Sequence, residues 1–188
     1  MIEHMKPHMY IISTVLAATA LVTAAQTPEG AGIVYGKDHA FAIAAPRGWI
    51  LDSESGKSQG LHAVFYETGS DWASAMNVMY TNSARKCEGQ RTVEELMAYD
   101  LAQFRKHSPT LEVTEPSSIP TRKGTALVRR FTGDQHGNYE AVAYIDEEQT
   151  IIMLVLSSRT KNGFDEAYPS FEELVKSYQF LTTDVRMK

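Results

Sequence analysis

The sequence predicts an α+β domain whose mostly antiparallel β-sheet is flanked by helices. Three observations carry this. Residues 139–158, YEAVAYIDEEQTIIMLVLSS, read as two strands joined by a tight polar turn. In the first, Tyr139, Ala141, Ala143 and Ile145 alternate with Glu140, Val142 and Tyr144, so both faces of that strand are at least partly covered. In the second, Ile151 to Leu156 is apolar without a break, which suits a central strand buried on both faces. Finally, strand-like runs group as hairpins around two well-separated helical patterns.

The chain opens on a targeting segment. Lys6 precedes an apolar run from Tyr10 to Val22, and small residues follow at Thr23, Ala24 and Ala25. A basic start, an apolar stretch and a small-residue end make a secretory signal peptide over residues 1–25. Cleavage is expected between Ala25 and Gln26. The alternative is a retained anchor, but the run is shorter than the ~20 residues a spanning helix needs. No cysteine lies near the cleavage point to carry a lipid. A secreted or periplasmic location in a bacterial envelope follows.

Residues 26–32 form a Pro/Gly/Ala-rich flexible lead-in, residues 33–182 a single domain, and residues 183–188 a C-terminal tail. The net charge of −5 makes a poor nucleic-acid or anionic-membrane binder. Cys87 is the only cysteine, so no internal disulfide forms and stability comes from the core.

Ile33–Tyr35 and Phe41–Ala45 read as short strands around the turn Gly36-Lys37-Asp38. Pro46-Arg47-Gly48 ends the second, and Trp49 follows this corner as a core residue. Asp52–Gly60 is a polar loop. Leu61–Tyr66 and Met76–Thr81 alternate as strands, separated by the loop Gly69–Ala73 that carries Trp72. Asn82–Gln90 reads as a polar loop holding Cys87.

Thr92 and Glu95 form a capping box. Val93, Leu96, Met97, Leu101 and Phe104 then recur at helical spacing until Ser108-Pro109. Leu111–Thr114 is a short strand, and Pro116 and Pro120 bracket a loop at a sheet edge. Thr125–Thr132 is a strand, and Gly133–Asn138 is a hairpin loop. After the loop Arg159–Gly163, a second helix presents Phe164, Ala167, Tyr168, Phe171, Leu174, Val175 and Tyr178. Pro169 is expected in its first regular turn, after one loose turn. The first helix leaves one sheet edge and returns, and the second closes the chain.

The segment FAIAAPRGW from Phe41 to Trp49, the mid-chain helix, the long hairpin and a final helix ending Ser177-Tyr178-Gln179-Phe180 together resemble the PsbP superfamily. Its members include the extrinsic subunit of photosystem II, DcrB-type bacterial secreted proteins and a yeast Ran-binding import factor. The resemblance covers nearly all of the mature chain. It implies an α/β/α sandwich and non-catalytic binding, and it carries over no functional residue.

The residues themselves offer little chemistry. Cys87 with His107 or His62 would make a nucleophile–base pair, but no motif surrounds the thiol. Asp134, His136 and Glu140 would offer metal ligands, but Gly137-Asn138 accounts for that loop as a turn. There is no Gly-x-Ser-x-Gly, His-Glu-x-x-His or phosphate loop. No catalytic residue, metal or cofactor is therefore assigned. Trp72, in a loop beside Asp71, is either a lid on the core or a recognition residue. Arg129 and Arg130 face opposite sides of one strand. One covers apolar surface or pairs with a carboxylate; the other, taken as Arg129, is an anchor for an anionic group.

The sequence therefore favours a secreted, non-catalytic module whose partner is a protein, with no nucleic acid and no stable membrane insertion after processing. The alternative is a small-ligand or metal carrier with a pocket between sheet and helix. A hydrolase or thiol enzyme stands third.

Overall fold

The computed structural model describes residues 30–185. The signal peptide expected at 1–25, most of the expected lead-in and the end of the tail lie outside these residues. The chain runs β1 (Ala31–Gly36), β2 (His39–Ala44), β3 (Trp49–Asp52), β4 (Val64–Glu67), β5 (Asn77–Arg85), α1 (Val93–His107), β6 (Glu112–Val113), β7 (Ser117–Pro120), β8 (Thr125–Thr132), β9 (Tyr139–Asp146), β10 (Thr150–Ser158), α2 (Lys161–Ser177) and β11 (Gln179–Thr182). The large sheet has the order β3-β4-β5-β10-β9-β8-β6, with β7 also on β8. A small sheet has the order β1-β2-β11. Every strand pair is antiparallel.

The β9–β10 hairpin forms as the alternation requires. Ala141, Ala143 and Ile145 join a core with Phe164, Phe171 and Leu174 of α2 and with Val34, Phe41 and Ile43 of the small sheet. Val142 and Tyr144 turn to the other face, under Val93, Leu96 and Met97 of α1. The large sheet is thus the middle layer of an α/β/α sandwich, with α1 on one face and α2 plus the small sheet on the other. β10 lies between β5 and β9, so Ile151, Ile152, Leu154, Val155 and Leu156 are all buried.

α1 begins at the expected cap. Thr92 Oγ1 accepts the Glu95 N–H at 3.2 Å. Glu95 does not return to the cap residue; its Oε2 accepts the Arg91 N–H at 2.8 Å, one residue further back.

Several sequence expectations are corrected. β5 continues through Asn82–Arg85, because these residues pair with Thr150–Met153 of the buried β10. α1 therefore starts from the interior strand β5 and leads to β6 at a sheet edge. The strand expected from Leu61 starts at Val64, and Trp49–Asp52, expected as corner and loop, pairs with it as β3. Ser117–Pro120 is a strand on β8, at the expected edge but not a loop. α2 starts at Lys161, where Thr160 Oγ1 accepts the Gly163 N–H at 3.1 Å. Pro169 sits in the helix interior on the solvent side. Its missing N–H costs one helical bond there, while the buried stripe on the opposite face continues through it. The chain closes on β11 rather than on a helix, because Gln179–Thr182 completes the small sheet beside β2.

Candidate interaction surface

Trp72 and Arg129 fall on the same face of the large sheet but at separate places. Tyr80, Val155, Val142 and Arg129 are cross-strand neighbours on β5, β10, β9 and β8. Trp72, half-buried, meets Tyr80 edge-on with ring centroids 6.2 Å apart. Three strand spacings of ~4.8 Å separate Tyr80 from Arg129, about 14 Å, so the two candidates do not form one site. Asp71 holds the Trp72 loop by accepting the N–H groups of Ala73 and Ser74 at 2.9 and 3.0 Å.

The two arginines diverge as their adjacency requires. Arg130 lies 3.9 Å over the Tyr168 ring on the α2 side. Arg129 is half-buried on the α1 side, and its Nε is shielded from solvent without a hydrogen-bond acceptor. Near it, the Tyr144 hydroxyl donates to Asp100 of α1 at 3.0 Å. Burial raises the pKa values of Asp100 and Glu140 above their ordinary values.

Cys87 is exposed and forms no hydrogen bond with His62 or His107. Asp134 is committed to its turn, where Oδ1 accepts the N–H groups of His136 and Asn138 at 2.9 and 2.7 Å. Among the described residues, no group of three or more His, Cys, Asp or Glu side chains is placed to hold a metal ion. No helix of the described residues is long and apolar enough to cross a membrane. A cleft of about 200 Å³ lies at the end of α2, bounded by Ile145, Glu147, Tyr178 and Phe180.

The surface that the sequence reading missed is β1. It is an edge strand of six residues, AGIVYG, without a charge or a proline. Native edges are usually blunted by such residues. Val34 points into the core, whereas Ile33 and Tyr35 are 64% and 58% exposed. The register with β2 fixes the backbone as well. The Ala45 N–H donates to the Gly30 carbonyl at 3.1 Å, making Gly30 and Ala45 a hydrogen-bonded pair. Bonded and non-bonded pairs alternate along an antiparallel ladder. Gly32, Val34 and Gly36 therefore bond to β2, and Ala31, Ile33 and Tyr35 turn their N–H and C=O groups to the open edge.

A cleft of about 250 Å³ runs beside β1. Ile33, Val34 and Tyr35 form one wall, and Ser53, Lys57 and His62 lie on the other. Side chains that point to both faces of β1 line it, which places it along the strand's edge rather than over a face. The far wall is held by Asp52. Its Oδ2 accepts from the Ser55 hydroxyl at 2.6 Å and from the Tyr66 hydroxyl at 3.0 Å, and its Oδ1 accepts the N–H groups of Glu54 and Ser55. The bonds from Ser55, with those from Glu54 and Tyr66, hold the Asp52 carboxyl well below the usual range. Lys57 and Glu54 pair at 2.6 Å, so these two side chains bring no net charge to the wall.

At one end of β1, His39 is 2% exposed and donates from Nδ1 to the Lys37 carbonyl at 3.1 Å. Its ring stacks on Phe41 and meets His62 edge-on. Burial pulls its pKa below the ordinary histidine value. The hairpin tip is tied to the large sheet by Asp38, which accepts from Arg85 Nε at 2.7 Å.

No protein-family model matches the chain, and no curated protein matches it in sequence. Solved structures do match in fold. The cyanobacterial PsbP (CyanoP) of Synechocystis is 14% identical, with a TM-score of 0.53 over 88% of this chain and 99% of that one. LpqN of Mycobacterium tuberculosis, described as involved in cell envelope biogenesis, is 12% identical, with a TM-score of 0.53 over 80% and 90%. The Saccharomyces cerevisiae Ran-binding protein Mog1p is 12% identical, with a TM-score of 0.50 over 81% and 95%. The fold is PsbP-like, as the resemblance in the sequence implied.

Proposed function

We propose that this chain is a non-catalytic protein-binding module that works outside the cytoplasm, after cleavage between Ala25 and Gln26. The carrying observation is the uncharged edge strand β1, with Ile33 and Tyr35 held in solvent. Isolated exposed apolar residues are ordinary, but two on one face of an unblunted edge strand mark a contact surface. Two structurally similar proteins add support by analogy: one is described as Ran-binding and one as acting in envelope biogenesis.

The test is affinity capture from the envelope of the native host with three tagged chains. These are the unaltered chain, the Ile33→Asp/Tyr35→Asp variant, and a Tyr99→Glu control on α1. A protein retained by the first and third but lost from the second supports the reading. Equal recovery on all three, or no protein above an untagged background, overturns it.

A further inference from the structure

We propose that the partner adds an extended, uncharged strand to the free edge of β1, seated between β1 and the Ser53–His62 loop. This rests on the protein-binding reading and names the mode of contact. Three observations converge. The N–H and C=O groups of Ala31, Ile33 and Tyr35 face the open edge with no backbone partner among the described residues. Such a row is a template for another strand, since main-chain bonds supply the affinity. The cleft at that edge has a built far wall, braced by Asp52 and by Gly56, which packs against Val64 and Leu61. The same cleft touches both β1 and the Ser53–His62 loop, so a strand added to β1 lies between the two. This fits a single segment of a partner and disfavours a second copy of this chain, whose β1 would bring β2 beside it.

The chemistry of the occupant follows from the walls. β1 carries no charge, and Glu54 and Lys57 neutralise each other. An ionised side chain in the segment would find no free counter-charge on either of them. Alternate side chains of the segment would rest beside Ile33 and Tyr35 on the outer side, where apolar or aromatic groups gain contact.

The test reads backbone amides in the full chain, with and without a capped heptapeptide alternating valine and threonine with serine at each end. In the free protein, the amides of Ile33 and Tyr35 exchange quickly and those of Gly32 and Val34 slowly. On addition of peptide, Ile33 and Tyr35 slow by at least about tenfold while Gly32 and Val34 change little. That alternation is the signature of strand addition; side-chain docking on the outer face does not produce it. Ile33→Pro, which removes one outward N–H at a position that does not bond to β2, abolishes the effect, whereas Ile33→Ala retains it.

Exchange at Ile33 and Tyr35 that is unaltered by the peptide overturns the proposal, even if envelope capture succeeds and the broader reading stands. Slow exchange without peptide also overturns it, in either of two forms. If it accompanies a dimer in sedimentation, the occupant is a second copy. If it occurs in the full chain but not in a chain starting at Gln26, the occupant is the chain's own N-terminal segment.

Discussion

The Tyr178 hydroxyl donates to Glu147 Oε1 at 2.9 Å, fastening the end of α2 to the turn between β9 and β10. Burial raises the Glu147 pKa, and the bond from Tyr178 opposes that rise. Tyr178→Phe leaves the carboxylate without this donor, at a cost of about 1–2 kcal/mol. The cost is greater at pH 7 than at pH 4, because a protonated carboxyl no longer needs the donor. Urea midpoints of the two proteins at both pH values check this, and equal midpoints at pH 7 would show that the bond contributes nothing.

His39 sets a second pH dependence. It faces His62 and Asp38, and burial lowers its pKa from the ordinary value of about 6.5. As pH falls through 6.5, the unfolded chain takes up the proton first. Stability therefore declines until the lower folded-state value is passed, and then levels. Asp100, Glu140 and Glu147, whose pKa values are raised, act with the opposite sign at acid pH. The informative quantity is thus the difference between wild type and His39→Gln. The variant should lose less stability between pH 7 and pH 5, and parallel curves would remove His39 from the account.

Leu154 is 0% exposed at the centre of β10. Leu154→Ala lowers stability by about 2–5 kcal/mol through lost burial and a residual cavity. Glu148→Ala, in the exposed turn, changes it by less than about 0.5 kcal/mol. Chemical denaturation of both variants separates the two outcomes.

Gly163 shows where packing overrides helix propensity. A Cβ there would lie 2.7 Å from Asn77 Oδ1, 2.9 Å from Ser158 Oγ and 3.0 Å from Thr160 Oγ1. Alanine ordinarily stabilises a helix over glycine by about 1 kcal/mol. Here Gly163→Ala must displace the buried bond from Ser158 Oγ to Asn77 Oδ1, and a net loss of about 1–3 kcal/mol is expected. A raised thermal midpoint would sink this assignment.

Export is checked on the protein isolated from its native host. N-terminal sequencing should begin at Gln26, within a residue. Intact Met1 on a membrane-held chain contradicts the proposed processing.

Local chemistry alone determined the start of α1 at its Thr92 cap, the bounds of β8 and the β9–β10 hairpin, and the central place of β10. In these places the periodicity of burial and the satisfaction of backbone amides point the same way. The same alternation correctly sent Arg129 and Arg130 to opposite faces. Tertiary structure decided the rest. Asn82–Arg85 and Gln179–Thr182 are polar or mixed segments that become strands only because buried neighbours offer them a ladder. Pro169 stays inside a helix because the buried residues before and after it are anchored to one core. The edge of β1 could not be read from AGIVYG, which would suit a covered strand equally well. Whether a strand's outward amides meet another strand or open solvent depends on which segments the whole chain brings beside it, and no local pattern encodes that.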